Sequence, residues 1–369
     1  MKQYLGCLIF ARLVWRGMLW AVLVSGGVLW AQEPQPFQLD SMTVAPGQRV
    51  SGEIQVEAQA SDNGTFIPVT VLHGSQSGPV LSLIAGIHGS EYAPILSLQQ
   101  LPDLLDPIQL AGTIIIVHIA NMPAFKGRTI YFGPDDLKNL NRSFPGKPDG
   151  SITERIADRL TQTVITASDY LIDIHSGDGN ESLRPSYSAF YGEGGTEEVN
   201  RESRRLAVAF GLETVVVMGG NYSSTELGIY TSAQAVARGI PAMDIESGQL
   251  GSVDDRFVDP ITVGVLNVLQ ELEMIMGEPL PSTNPLFITE RARVYSEHDG
   301  IWYPDTLVSV GDYVKEDTRL GVITDYFGNQ LKTVSAPASG VLLILFGTPP
   351  VNAGDNLAVI AKLPDETSN

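Results

Sequence analysis

Two short motifs in this sequence carry residue types that bind metal ions in hydrolases. His88 and Glu91 follow the apolar run at residues 81–85, and His175 follows a second apolar run at residues 170–174. Two histidines and a glutamate that leave one coordination position open form the ligand set of a hydrolytic zinc site, in which bound water becomes a nucleophile near neutral pH. The competing interpretation is that each histidine caps a strand and hydrogen-bonds a loop. The close spacing of His88 and Glu91 favours the metal site, with one Zn2+ per chain.

These side chains can meet only if both runs are strands of one sheet that end at the same edge. Gly86 directly after the first run predicts a sharp turn, and open α/β sheets bind ligands outside the carboxyl ends of their strands. Further strands are predicted at residues 113–119, 214–218 and 241–245, and helices at residues 92–105, 152–166, 196–210, 232–238 and 254–276. This alternation predicts an α/β fold over residues 32–276, with a mixed, largely parallel sheet and helices on both faces.

The composition changes towards the C-terminus. Residues 277–286 are rich in proline and lack periodicity, which is typical of a linker, and residues 287–363 contain short β-like runs broken by Gly, Asp and Pro. The pattern of residues 287–363 therefore predicts a small all-β, barrel-like domain. Residues 308–314 and 336–340 resemble a biotinyl/lipoyl-like module, but no lysine stands at the expected hairpin tip near residues 327–330. We expect a structural or site-shaping module without a modified lysine.

The N-terminal residues resemble a secretory signal peptide. Lys2, Arg12 and Arg16 precede the apolar run at residues 17–30, and Ala31 offers a cleavage position before a polar stretch. We expect residues 1–31 to be a signal peptide and the mature chain to be periplasmic or secreted. The alternative is an uncleaved leader that anchors the chain to a membrane, because Leu29 occupies a position where cleavage sites have a small residue.

Charge and cysteine content exclude several classes of function. The formal net charge is −19, and it becomes about −22 without residues 1–31. Binding to nucleic acid needs clustered Lys and Arg that the chain lacks, so we expect no nucleic-acid partner. The only cysteine, Cys7, lies in the predicted leader. This position excludes disulfides, Cys-ligated zinc and a cysteine nucleophile in the mature chain.

Five short motifs resemble the succinylglutamate desuccinylase/aspartoacylase family of zinc carboxypeptidase-like deacylases. In the order of the family they are Gly-Ile-His-Gly-Ser-Glu at 86–91, Asn-Met-Pro-Ala-Phe-Lys-Gly-Arg at 121–128, Asn-Leu-Asn-Arg-Ser-Phe-Pro-Gly at 139–146, Asp-Ile-His at 173–175 and Asp-Ile-Glu-Ser-Gly at 244–248. One such motif is weak evidence, whereas five in order are specific. The resemblance implies a zinc carboxypeptidase-like fold and hydrolysis of an amide bond, and the appended β module also fits the family.

The resemblance implies roles beyond the metal ligands. Glu246 would be the general acid/base that takes a proton from water and returns one to the amide nitrogen. Arg128 would stabilise the developing oxyanion. Asn141 and Arg142 would bind a carboxylate of the substrate, since a guanidinium group matches two carboxylate oxygens. The competing interpretations are a solvated strand-end carboxylate for Glu246 and surface ion pairs for the two arginines.

Position 139 departs from the family pattern. Many members have an aspartate where this chain has Asn139, and that aspartate would orient a ligating histidine. An amide oxygen still accepts a hydrogen bond from an imidazole N–H, but it lacks the full negative charge, so metal-bound water would be somewhat more acidic. Asp173 lies two residues before His175, on the same strand face, and is placed to share the orienting role.

These observations predict an exported zinc-dependent hydrolase that cleaves an amide bond of a small, carboxylate-bearing N-acyl amino acid. The runner-up is a metallocarboxypeptidase acting on short or cell-wall peptides, which shares the mechanism and differs in the depth of the pocket. A third hypothesis is a non-catalytic carboxylate-binding protein, and the joint presence of the metal set and Glu246 disfavours it. The expected partner is a small carboxylate or a short peptide, with membrane contact only through an uncleaved leader.

Overall fold

The computed structural model describes residues 34–60, 62–280 and 284–363. The predicted signal peptide and part of the predicted linker lie outside the described residues. Within those ranges no helix has both the length and the apolar composition that crossing a membrane requires. The described strands are β1 (Phe37–Leu39), β2 (Met42–Val44), β3 (Gln48–Val56), β4 (Thr65–His73), β5 (Gln76–Ala85), β6 (Ala111–Val117), β7 (Tyr170–His175), β8 (Glu181–Leu183), β9 (Tyr187–Tyr191), β10 (Thr214–Met218), β11 (Ala242–Glu246), β12 (Leu286–Ile288), β13 (Arg291–Tyr295), β14 (Gly300–Pro304), β15 (Tyr313–Val314), β16 (Arg319–Thr324), β17 (Gln330–Ser335), β18 (Gly340–Phe346), β19 (Pro350–Val351) and β20 (Asn356–Ala361). The described α-helices are α1 (Tyr92–Gln100), α2 (Met122–Gly127), α3 (Ile152–Thr163), α4 (Glu197–Ala209), α5 (Thr231–Val236) and α6 (Asp255–Glu271), and single 3-10 turns lie at Leu101–Asp103, Leu140–Arg142 and Ile165–Ala167.

The main sheet positions the strand ends that carry the predicted ligands. Among the described residues it has nine strands in the order β12-β10-β9-β11-β7-β5-β6-β4-β3. The pairs β10/β12, β9/β10, β7/β11, β5/β7 and β5/β6 are parallel, whereas β9/β11, β4/β6 and β3/β4 are antiparallel. The predicted mixed, largely parallel sheet is therefore confirmed. The central strands are buried on both faces, which explains why their sequences are continuous apolar runs.

Helices cover both faces of this sheet, as predicted. On β6, Ile115 and Val117 belong to a core shared with α3 and α5, whereas Ile114 and Ile116 belong to a second core shared with α1, α4 and α6. Successive side chains of a strand point to opposite faces, so a single strand contributes to both cores. Because apolar packing occupies both faces, the polar groups of the central strands collect at their carboxyl ends.

The helices and strands predicted around the site are present, but some helices are shorter than predicted. Helix α1 ends at Gln100, because Pro102 follows within a 3-10 turn and a proline cannot donate the next helical hydrogen bond. Helix α6 ends at Glu271, two residues before Glu273, whose φ of +55° is incompatible with a helix. The sequence did not predict α2, β8 or β9, which are short elements between Gly- and Pro-rich stretches.

The C-terminal part consists of two antiparallel sheets, with strand orders β13-β20-β18-β15 and β17-β16-β14-β19, as expected for the predicted all-β part. The β16–β17 hairpin turns at Asp325, whose carboxylate accepts hydrogen bonds from the backbone N–H groups of Phe327 and Asn329. Lys332 lies on β17, where its Nζ is 2.9 Å from Oε2 of Glu297. No lysine stands in the turn between these strands.

Two strands cross between the main sheet and the C-terminal part. Strand β12 pairs in parallel with β10 of the main sheet, although residues 287 and 288 fall within the predicted C-terminal module. Conversely, a strand from the first part joins the C-terminal part: β8 lies between β7 and β9 in the chain but pairs with β18. All described residues belong to one compact unit.

Candidate active site

A tight turn after β5 holds the first two predicted ligands. Gly86 has a φ of +70°, in the left-handed region, and a Cβ atom added to it would lie 2.9 Å from Cα of Ile119. The backbone N–H of Asn121 donates to the carbonyl of Gly86 at 2.9 Å and fixes the turn. His88 therefore leaves the sheet edge in one defined direction, and Glu91 is the residue directly before α1.

A methyl group at position 86 tests how tightly this turn is packed. We expect Gly86→Ala to lower the free energy of unfolding by about 2–4 kcal/mol, since the left-handed backbone and the contact with Ile119 each carry a cost. Gly239→Ala is the matched control, because Gly239 has a φ of +80° with nothing within 4 Å of the added atom. The free energy of unfolding of the control should fall by only about 1–2 kcal/mol. Urea unfolding measures both losses, and equal values would contradict the close packing at Gly86.

His88, Glu91 and His175 converge at the carboxyl ends of β5 and β7. Their potential ligand atoms all lie within 4.8 Å of one another, and all three residues are buried. Glu91 Oε1 lies 2.8 Å from His88 Nδ1, and Glu91 Oε2 lies 2.9 Å from His175 Nδ1. A carboxylate between two imidazole nitrogens is a donor set that fits a divalent metal ion. The structure thus brings the three predicted ligands together.

The opposite ring nitrogens of both histidines have partners of their own. His88 Nε2 lies 3.2 Å from Oδ1 of Asn139, and His175 Nε2 lies 2.9 Å from Oδ2 of Asp173. The Asp173 contact is close but lacks the alignment of a hydrogen bond. Such partners determine which ring nitrogen faces a metal and how the ring is oriented. Asn139 therefore lies where its predicted orienting role requires, whereas Asp173 contacts His175 without the hydrogen bond that such a role uses.

The electrostatics of this cluster favour positive charge. Burial lowers the pKa of His88, but Asp178 and Glu91 outweigh burial and raise it above its ordinary value. Burial likewise lowers the pKa of His175, which Asp173 and Glu91 raise well above the ordinary value. For Glu91, burial raises the pKa, and the two histidines bring it down to about 2. A site that stabilises protonated imidazole also stabilises a metal cation in the same place.

Glu246 lies in the same cross-strand row as His175. His175 on β7, Glu246 on β11 and Tyr187 on β9 are directly opposite one another in the sheet. Side chains at such positions point to the same face, about 5 Å from their neighbours. Oε2 of Glu246 is buried and has no hydrogen-bond partner among the described residues. A buried carboxylate without a partner, beside a potential metal centre, is suited to exchange a proton with a substrate or water.

Burial and neighbouring charges set the proton affinity of the two carboxyl groups on β11. Burial raises the pKa of Glu246 well above its ordinary value, His175 lowers it, and Glu91 raises it again. Asp244 lies two residues earlier on the same face, and burial, followed by the charge of Asp173, raises its pKa to about 7. A carboxyl group whose pKa is moved towards neutrality can accept a proton and then donate it.

The structure does not bring Arg128 to this cluster. Arg128 is exposed, has a φ of +55° at the end of α2, and lines a separate groove with Tyr92 and Phe125. The chain turns at this left-handed residue, and Tyr131, three residues later, lines the cavity instead. Arg128 does not line the cavity, so the structure gives its predicted oxyanion role no support.

Asn141 and Arg142 do line the cavity. Asn141 Oδ1 accepts a hydrogen bond of 3.0 Å from the backbone N–H of Thr231, and its Nδ2 lies 3.4 Å from His175 Nε2. The Arg142 guanidinium stacks on the ring of Tyr230 at 4.4 Å from the centroid. One of its nitrogens donates to the carbonyl of Asn141 at 2.6 Å. A guanidinium fixed in this way presents its remaining donors to a carboxylate.

A cavity of about 380 Å³ surrounds these groups. The lining residues without a role predicted from the sequence include Tyr131, Asp178, Glu181, Asp244, Arg291 and Arg293. A sequence signal existed for Asp244, because residues two apart on a strand share a face and Asp244 stands two before Glu246. Arg291 and Arg293 come from β13 in the C-terminal part, and no local pattern connects that strand with the metal motifs.

Comparison with known families decides what kind of site this is. A sequence profile described as the succinylglutamate desuccinylase/aspartoacylase catalytic domain matches residues 77–272, more than half of the chain. The chain belongs to the succinylglutamate desuccinylase/aspartoacylase family. The matched range contains His88, Glu91 and His175 together with Glu246, so the whole observed cluster lies within the family's catalytic domain.

Individual relatives of this family member agree in sequence and fold. The chain is 29% identical over 350 residues to the N-alpha-acetyl-L-2,4-diaminobutyric acid deacetylase of Halomonas elongata, a match that covers 87% of this chain and 98% of that protein. A succinylglutamate desuccinylase/aspartoacylase from Rhodobacter sphaeroides has a TM-score of 0.72 and 25% identity, covering 85% of this chain and 95% of that one. The product-bound ectoine utilization protein EutE (DoeB) of Ruegeria pomeroyi shares the fold, with a TM-score of 0.77 and 24% identity over 89% of this chain and 99% of that one. The family thus includes deacylases that act on N-acyl amino acids.

Proposed function

We propose that this desuccinylase/aspartoacylase family member is an exported zinc-dependent hydrolase that cleaves the amide bond of a small, carboxylate-bearing N-acyl amino acid. The observation that carries the proposal is the placement of Glu246, whose Oε2 is buried and has no hydrogen-bond partner among the described residues, on the strand next to His175, one of three converging potential ligands. The Halomonas relative, a deacetylase of an N-acetyl amino acid, supports the substrate class. Export rests on the leader-like residues 1–31 alone.

The residues of the site divide the work of amide hydrolysis. His88, Glu91 and His175 would hold the zinc ion, because their donor atoms converge and match the ligands that zinc prefers. When bound, zinc supplies Lewis-acid chemistry that polarises a carbonyl and makes water more acidic. Glu246 takes a proton from the attacking water and delivers it to the amide nitrogen as the C–N bond breaks. The products are a carboxylic acid and a free amine.

Asn141 and Arg142 orient the substrate beside these groups. Arg142 is fixed by Tyr230 and by the carbonyl of Asn141, so it offers a carboxylate a guanidinium that is already in place. The cavity of about 380 Å³ is at the small end of ligand pockets, which favours a small molecule or the end of a peptide. The substrate therefore binds by its carboxylate while its amide bond lies next to the metal ligands and Glu246.

Metal content and hydrolysis of the purified mature chain test this proposal. We expect about one zinc ion per chain, loss of hydrolysis after chelation, and recovery when Zn2+ is added back. The substrates are N-alpha-acetyl-L-2,4-diaminobutyric acid, N-succinylglutamate, N-acetylaspartate and dipeptides with a free C-terminus. Hydrolysis of the N-acyl amino acids supports the proposal, whereas hydrolysis of dipeptides alone establishes a carboxypeptidase. A chain that binds no metal in excess zinc contradicts the proposal.

A further inference from the structure

One buried tyrosine of the cavity has a hydroxyl group without a partner in the protein. Tyr187 on β9 is 6% exposed and lines the cavity. Its hydroxyl group makes no hydrogen bond with any residue that the structure describes. Tyrosine hydroxyl groups usually have a hydrogen-bond partner when they are buried. The hydroxyl group of Tyr187 is therefore available to a molecule bound in the cavity.

The four other tyrosines that line the cavity are engaged within the protein. The hydroxyl group of Tyr131 donates to an asparagine oxygen at 2.7 Å. Tyr191 accepts a hydrogen bond of 3.4 Å from a serine, and its ring meets that of Tyr222 edge to face at 4.6 Å. The ring of Tyr230 carries the guanidinium of Arg142. Contacts within the protein thus hold all four of these tyrosines in place.

The sheet places Tyr187 on the far side of Glu246 from His175. These three residues are cross-strand neighbours on β7, β11 and β9, and Glu246 is the middle one. Neighbouring strands are about 5 Å apart, and side chains in one row point to the same face. A bond that lies over Glu246 therefore has His175 on one side and the Tyr187 hydroxyl group on the other.

The two ends of an amide bond require different neighbours in this row. The carbonyl oxygen is partly negative, so it lies towards His88, Glu91 and His175, where a bound cation attracts it. The amide nitrogen then lies on the side of Tyr187. Its lone pair can receive a proton from Glu246 only if the nitrogen is held in one orientation, which requires an acceptor for its N–H. A hydroxyl oxygen is such an acceptor.

The charges around Tyr187 keep its hydroxyl group neutral. Burial raises the pKa of Tyr187 above its ordinary value, the charge of Glu246 raises it further, and Arg291 lowers it. The group therefore keeps its proton at neutral pH and still offers the lone pairs of its oxygen. A neutral acceptor can bind an N–H without repelling the carboxylate of the same substrate.

We propose that Tyr187 binds the amide N–H of the substrate and orients the leaving nitrogen towards Glu246. The inference rests on the proposed amide hydrolysis and adds a residue that touches the reacting atoms. The Tyr187 oxygen accepts a hydrogen bond from the N–H while Glu246 delivers its proton to the lone pair of the nitrogen. As the C–N bond breaks, the amine leaves with both hydrogens and with the electron pair of that bond. An ester has an oxygen without hydrogen at this position, so Tyr187 favours amides over esters.

Hydrolysis of matched amides and esters tests this contact. The pairs are N-acetylaspartate with O-acetylmalate and N-acetylalanine with O-acetyllactate, in which the ester has an oxygen where the amide has N–H. We expect Tyr187→Phe to lower kcat for the amide by about 10- to 100-fold, because the nitrogen is no longer held in place. KM for the amide and kcat for the ester should stay within about threefold of the wild type. A group that stabilised the oxyanion would instead affect both members of a pair.

Tyr170→Phe is the matched control. It also removes one hydroxyl group from the main sheet, but Tyr170 begins β7, at the opposite end of the strand from His175, and does not line the cavity. This variant should keep kcat for amides and esters. The melting temperature of Tyr187→Phe should be no lower than that of the wild type, since removal of its hydroxyl group leaves no protein group unpaired.

Failure of this inference differs from failure of the proposed function. If the wild type hydrolyses N-acyl amino acids but Tyr187→Phe affects amide and ester equally, or neither of them, the N–H contact is wrong and the proposed function stands. An equal loss for both with a lower melting temperature indicates a structural role and also overturns the inference. A wild type that hydrolyses the esters but no N-acyl amino acid contradicts both proposals.

Discussion

Glu246→Gln should lower kcat by about 100- to 10,000-fold, which is the usual contribution of general acid–base catalysis. Glutamine keeps the shape of the side chain, but it cannot take a proton from water or return one to the amide nitrogen. Burial and neighbouring carboxylates raise the pKa of Glu246, so a neutral amide at this position should not weaken the fold. Zinc content and thermal unfolding of the variant should therefore match the wild type while hydrolysis is lost.

Glu213→Gln is the matched control for this substitution. Glu213 is exposed immediately before β10 and does not line the cavity. We expect this variant to keep the kcat of the wild type. That result would show that loss of a carboxylate outside the cavity does not change kcat. A Glu246→Gln variant whose kcat stays within about tenfold of the wild type would rule out Glu246 as the proton-transfer group.

His175→Ala should remove both metal binding and hydrolysis. His175 contacts the carboxylate that His88 also contacts, and its loss leaves only two of the three converging ligands. Removing a residue that merely orients a ligand typically costs about 10- to 100-fold in metal affinity, so removing the ligand itself should cost more. Competition with a chelator of known zinc affinity measures the change.

His298→Ala provides the corresponding control. His298 lies in the C-terminal part and does not line the cavity, so this variant should bind zinc and hydrolyse substrate like the wild type. Wild-type zinc affinity in His175→Ala would mean that the ligands have been assigned wrongly.

The convergence of His88, Glu91 and His175 could be predicted from sequence because of how the central strands are buried. Strands β5, β7 and β11 have few exposed side chains, so their apolar runs are nearly continuous and stop where the polar groups begin. Neighbouring parallel strands end at one edge of a sheet, which brings His88 and His175 together. The burial pattern and the strand direction together were therefore sufficient to predict that these side chains meet.

Arg128 shows where a local motif stops being informative. Its residue type and spacing match the expected pattern, but the direction of its side chain depends on the left-handed backbone of a single residue. Non-glycine residues adopt this conformation only occasionally, and no sequence pattern here indicated it. The helix α2 that precedes it was not predicted either, so its orientation could not be anticipated.

Arg291 and Arg293 illustrate a second limit. Strand β13 is joined to the rest of the fold by pairings between segments far apart in the chain, such as β8 with β18 and β10 with β12. Strand β8 is three residues long and has no clear alternation of apolar and polar residues. Pairings between distant segments depend on the whole tertiary structure, so a sequence could predict the all-β module but not the face that it turns towards His88, Glu91 and His175.

The exchange of β8 and β12 between the two parts also affects how the protein can discriminate among ligands. Moving the parts away from each other would strip β8 from β18 and β12 from β10, leaving backbone N–H and C=O groups unpaired on both sides. Such a frame resists hinge opening, and its charged groups are already in place before a ligand arrives. Binding then costs little conformational entropy, and selectivity comes from preorganised complementarity and not from closure around the ligand.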